Sequence, residues 1–137
     1  MAEPPAPVSR LLCPLRVETL REVRREVESY ARAAGLTDPR QLYNFVLAIN
    51  ELITNALHHA GGAGRLELWL EQRRLHCRVT DDGPGMPPER LVPGPRPDPG
   101  SSGGWGLWLV RQVCERVDIR TGRSGTRISV EYPLPRV

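Results

Sequence analysis

Apolar residues recur along this chain in two rhythms, and the switches between them mark the elements. A short edge strand is predicted over Ser9 to Cys13, closed by Pro14. From Val17 to Ala34, Leu20, Val23, Val27, Tyr30, Ala31 and Ala34 fall at helical spacing, arginine and glutamate fill the other face, and Gly35 supplies the stop. Asp38-Pro39 reads as an N-cap followed by proline at the first helical position. The helix it opens runs to about His59 on the stripe Leu42, Phe45, Val46, Ile49, Leu52, Ile53 and Ala56. Past Gly61-Gly-Ala-Gly64 the period drops to two, with Leu66, Leu68 and Leu70 alternating against Arg65, Glu67, Trp69 and Glu71. After a turn near residues 72–74, Leu75, Cys77 and Val79 continue the alternation, which puts Asp81 on the covered face and Asp82 outside. Helical spacing returns from Leu107 to Val117 through Val110 and Cys114. A strand over Asp118 to Thr121, a turn through Gly125, and a strand sharing Thr126, Ile128, Val130 and Tyr132 on one face complete the pattern. Together these elements predict an α+β two-layer sandwich, a mostly antiparallel sheet covered on one face by helices.

Some polar residues break this pattern. Glu51, Asn55 and His59 form a row at steps of four, apart from the apolar stripe of their helix. A carboxylate and a carboxamide one turn apart can share a metal ion and a water or hydroxyl. Asp81 opens the block Asp81-Asp-Gly-Pro-Gly85 at a strand end. A covered carboxylate is costly unless it accepts good hydrogen bonds, which a nucleobase amine and an ordered water would supply. Met86 to Gly103 contains six prolines and so predicts a long loop with no packed element, either a lid or a disordered segment. Gly103-Gly-Trp-Gly106 then opens the next helix.

Composition narrows the class. A chain of 137 residues, 39% hydrophobic, supports one core, and the expected organisation is a loose proline-rich segment over 1–8 followed by a single domain over 9–137. A net charge of +3 is too mild to demand nucleic acid. Every one of the 19 basic residues is arginine, which excludes a phosphate-cradling P-loop with its lysine. Three scattered cysteines, Cys13, Cys77 and Cys114, read as reduced core residues of a cytoplasmic protein. No apolar run reaches membrane-spanning length, and Met-Ala-Glu-Pro-Pro lacks the regions of a signal peptide, so a cytoplasmic protein away from the membrane is expected.

In their order along the chain, Glu51-Leu-Ile-Thr-Asn55, Asp81-Asp-Gly-Pro-Gly85 and Gly103-Gly-Trp-Gly106 resemble the motifs of the GHKL ATP-binding superfamily, the Bergerat fold of gyrase, heat-shock chaperone, histidine kinase and mismatch-repair ATPases. The short form resembles the bacterial anti-sigma-factor serine/threonine kinases. The resemblance implies ATP and Mg2+ as ligands. It implies that Asn55 binds the magnesium, that Asp81 accepts from the adenine amine, and that Gly83 and Gly85 let the backbone approach the base. It further implies that Gly104, Gly106 and the adjoining Leu107 meet the phosphates at a helix N-terminus, and that Gly125 and Thr126 stand near the adenine-binding carboxylate. Glu51 matches the general base that takes the proton from an attacking serine or threonine hydroxyl. The implied partners are a sigma factor and a STAS-type anti-anti-sigma protein in a partner-switching system, with homodimerisation as a family expectation. Ser101-Ser102 stand where family kinases place an arginine ahead of the lid-end glycines. That departure keeps an alternative open, a nucleotide-gated protein-binding module of the same fold without phosphoryl transfer.

Overall fold

The structure, a computed structural model, describes residues 10–59, 63–87 and 105–135. Strand β1 spans Leu11–Arg16 and leads through a short 3-10 turn, Val17–Thr19, into helix α1, Leu20–Ala34. Helix α2 spans Pro39–His59, and the strands β2, Ala63–Glu71, and β3, Arg74–Asp81, form a hairpin. Helix α3, Trp105–Val113, precedes a second hairpin of β4, Arg116–Gly122, and β5, Gly125–Pro133. The five strands lie in the order β1-β2-β3-β5-β4, and every pairing is antiparallel.

Local chemistry sets the helix ends. Asp38 Oδ1 accepts the N–H groups of Arg40 and Gln41, each at 3.0 Å, and so caps α2 as its sequence predicts. The N–H groups of Gly35 and Leu36 bond back to Arg32 and Ala31 carbonyls, closing α1 and delivering Leu36 into the core.

Three sequence expectations are corrected. The first strand does not stop at Pro14: it runs on to Arg16, because β1 is a sheet edge, where an exposed proline can lack its N–H. The third helix does not reach Val117. Cys114 N–H still bonds to the Val110 carbonyl, but Glu115 N–H turns to the Glu131 carbonyl, so the backbone passes from helix to sheet within one residue and Val117 belongs to β4. Finally, Met86 is buried among the core residues, so its side chain is not lid material. The rest of the expected lid, residues 88–103, and the N-terminal residues 1–9 lie outside the described residues.

Helix α2 is the centre of the covering layer and packs on β1, β2, β3 and β5 as well as on the other helices. Phe45, fully buried, meets Tyr132 edge to face with ring centroids 5.3 Å apart. Leu15, Leu66, Leu68, Leu75, Cys77, Val79, Ile128 and Val130 point at the helices, and the opposite face of the sheet carries the polar set. No helix among the described residues is long and apolar enough to cross a membrane.

Candidate nucleotide site

The strand ends build one half of the site. Asp81 is the last residue of β3 and only 4% exposed. Its Oδ1 accepts the Gly83 N–H at 2.9 Å, which fixes the carboxylate against its own turn. The other oxygen has no hydrogen bond among the described residues, so an acceptor remains for an incoming donor. Thr126 faces Asp81 across the β3–β5 ladder and is equally buried. Its hydroxyl lies 2.9 Å from that of Thr121, and Thr121 Oγ1 also accepts the Met86 N–H at 2.8 Å. The two threonines therefore tie the loop after β3 to the β4–β5 hairpin.

Glycine is required where these segments touch. Gly85 has φ +94, and a Cβ there would sit 2.7 Å from the Gly122 carbonyl oxygen. Gly125 has φ +134, and a Cβ there would overlap the Asp81 carbonyl oxygen. Thr121, Met86 and Gly122 are members of this cluster that the sequence motifs do not name. A signal existed for Thr121: the tight turn between β4 and β5 puts it opposite Thr126.

The helices build the other half. Glu51 is half-buried on α2, and a Cβ on Gly106 would lie 2.9 Å from Glu51 Oε2. The carboxylate thus rests against the first turn of α3, close enough that a Cβ on Gly106 would push its flexible end aside. That turn also carries backbone N–H groups without helical partners and the positive end of the helix dipole. Asn55 stands one turn further along α2, half-buried, and its side chain makes no hydrogen bond among the described residues. Leu107 is buried in the core, so a contact to a ligand from this residue falls to its backbone. Gly104, with Ser101, Ser102 and Gly103, lies outside the described residues. The two halves belong to one layer boundary, because α2 packs on the face of β3 from whose end Asp81 projects.

The residues present fit a magnesium nucleotide. A fixed acceptor beside close-approaching glycine backbone suits the exocyclic amine of a base. Mg2+ is held by few protein oxygens and completes its shell with water and phosphate, which suits Asn55. No group of three or more His, Cys, Asp or Glu able to hold a metal occurs among the described residues. The cysteines are not ligands in waiting: all three are buried and free, and burial pushes the Cys13 and Cys114 thiols up to about 12 and raises Cys77 further.

A family model for the histidine kinase-like ATPase domain matches residues 13–132. The chain belongs to that family. It is therefore a GHKL ATPase domain, and domains of this kind bind ATP, normally with Mg2+. The sensor protein kinase CarS of Pseudomonas aeruginosa is 30% identical over 118 residues, covering 79% of this chain and 26% of CarS. PilS, a sensor protein kinase of the same organism, is 36% identical over 113 residues, covering 70% of this chain and 21% of PilS. The chain thus spans about a quarter of the length of these relatives. Among solved structures, the RsbU and RsbW domains of Rv1364c from Mycobacterium tuberculosis overlay with a TM-score of 0.70 at 21% identity, covering 96% of this chain and 34% of that one. At that identity the overlay speaks for the fold.

Proposed function

We propose that this domain binds magnesium-ATP and transfers its terminal phosphoryl group to a serine or threonine hydroxyl of an anti-anti-sigma protein, while itself holding a sigma factor. The observation that carries the reading is the seat of Glu51. Its carboxylate rests against Gly106 at the α3 N-terminus, one turn from Asn55, where a base is wanted beside phosphates gathered by free N–H groups.

In this reading Asp81 and the Gly83–Gly85 turn hold the base. Asn55 and the first turn of α3 hold the metal and phosphates. Glu51 accepts the proton from the incoming hydroxyl as that oxygen bonds to phosphorus and ADP leaves. The motif resemblance to the anti-sigma-factor kinases supports the anti-sigma form, and the fold shared with the chain that contains the RsbW domain is compatible with it. Identity of 30% and 36% to sensor kinases favours a second reading, in which the same site serves a phospho-accepting histidine.

The test is incubation with γ-labelled ATP and a STAS-type acceptor domain, followed by location of the label. Acid-stable label on a serine or threonine is the expected result. Acid-labile label supports the histidine reading, and nucleotide-dependent partner binding with no label supports a gated binder. Glu51→Ala is expected to keep nucleotide affinity and lower transfer about 100-fold to 10,000-fold. Joint loss of affinity and thermal stability in that variant would make Glu51 a structural residue.

A further inference from the structure

The face of the sheet away from the helices carries an open groove of about 570 Å³ over β3, β5 and β4. Four arginines, Arg78, Arg116, Arg120 and Arg127, line it against only two carboxylates, Asp118 and Glu131. Both carboxylates are already engaged, Asp118 with Arg120 at 3.3 Å and Glu131 with His76 at 3.5 Å. Arg78, Arg116 and Arg127 have no carboxylate within ion-pair distance among the described residues.

One pair works against the sheet that bears it, although Arg116 faces Glu131 and Arg78 faces Glu67 across their ladders. Arg120 and Arg127 are direct cross-strand partners, and like charges opposite each other weaken strand pairing. Arg78 sits one strand over, opposite Ser129 and diagonal to Arg127 in the β3–β5 ladder, where it is held by the Ser129 hydroxyl at 3.4 Å and lies over the Trp69 ring at 5.4 Å. Trp69 is itself stacked on His76, with centroids 5.3 Å apart and planes 9° from parallel. A guanidinium laid on an aromatic ring has little freedom left to lose on binding. A like-charged pair that opposes its own ladder, next to an arginine that is already ordered, marks a site shaped for a ligand.

We propose that this face, which no described residue covers, at β3, β5 and β4, is a docking site for an acidic segment of a partner protein. Charge complementarity selects the class: guanidinium groups form forked pairs with carboxylates. The two carboxylates in the groove favour a peptide over nucleic acid. Every unit of a phosphate backbone is charged, so a strand laid along the groove would run against Asp118 and Glu131. An extended peptide repeats its same-side groups about every 6.6 Å and can set uncharged residues opposite them. The site lies on the face opposite Asp81 and Thr126, so it is separate from the nucleotide site and does not depend on phosphoryl transfer.

Fluorescence anisotropy with the full chain tests it, using a labelled peptide of alternating glutamate and serine, its glutamine analogue, and a single-stranded oligonucleotide of equal charge. The glutamate peptide is expected to bind, more weakly as salt rises, and the glutamine analogue to fail. Arg120→Gln with Arg127→Gln is expected to weaken peptide binding at least about tenfold while magnesium-ADP binding is unchanged. Arg127→Gln alone, at an exposed position without an ion pair, keeps the test open should the double variant unfold, and is expected to weaken the peptide as well. No binding of the glutamate peptide, undiminished binding by the variants, or tighter binding of the oligonucleotide would overturn the proposal.

Discussion

Single residues show how the chain spends its polar groups. Asp81 is legible from the alternation of Leu75, Cys77 and Val79, since period two leaves it no choice of face. Thr121 is not legible that way, because its role rests on a hydroxyl contact to Thr126 and on the Met86 N–H, a partner distant in sequence. The cysteines are legible as core from their apolar neighbours, but not the 3.0 Å bond from Cys13 Sγ to Glu26 Oε2. Burial first, and this bond second, push the Cys13 thiol from 9.0 to about 12. Burial does the same for Cys114. A folded state that holds its thiols protonated gains stability that is fully present below pH 9.0 and is lost as pH rises towards about 12. Burial raises Tyr30 and Tyr132 as well, with the same sign. Urea unfolding across this window is expected to show falling stability, with a shallower fall in Cys114→Ala. An unchanged slope in the variant would contradict the assignment of the effect to that thiol.

At the scale of elements, periodicity locates α1, α2 and the β2–β3 hairpin because each has one apolar face and a local stop signal. It overruns where such signals conflict. Val110, Cys114 and Val117 continue a helical spacing by coincidence, although the backbone has already left the helix at Cys114. Pro14 reads as a strand end, but an edge position makes it harmless. The glycine blocks are visible in sequence as turns, whereas their reason is a meeting of segments. Gly125 and Gly122 separate the two ideas, since both flank the same β4–β5 turn. Gly125→Ala forces a side chain into the left-handed region and onto the Asp81 carbonyl, and is expected to cost about 2 to 4 kcal/mol. At Gly122 a Cβ would meet nothing within 4 Å, so Gly122→Ala is expected to stay within about 0.5 kcal/mol of the parent. Denaturant midpoints of the two variants check this; equal losses would mean that the turn, and not the contact with β3, is what glycine serves.

For the whole molecule, one sheet separates two chemistries. The helix-covered side brings Glu51 to α3 and Asp81 to Thr126, and the opposite side holds the arginine groove that no motif announced. The groove was hidden because its members are spread over three strands and meet only through register. If the covered side holds a magnesium nucleotide through Asp81, thermal unfolding with magnesium-ATP will register it. At a ligand concentration about 100 times Kd, binding to the native state adds about 2.7 kcal/mol. Asp81→Asn removes a charge-assisted hydrogen bond of about 1.5 to 3 kcal/mol, or about 10-fold to 150-fold in affinity. At the same concentration the variant should gain only about 0.3 to 1.4 kcal/mol. A clear rise in Tm is expected for the parent chain and a much smaller one for Asp81→Asn; equal rises in the two proteins would mean that Asp81 does not hold the nucleotide.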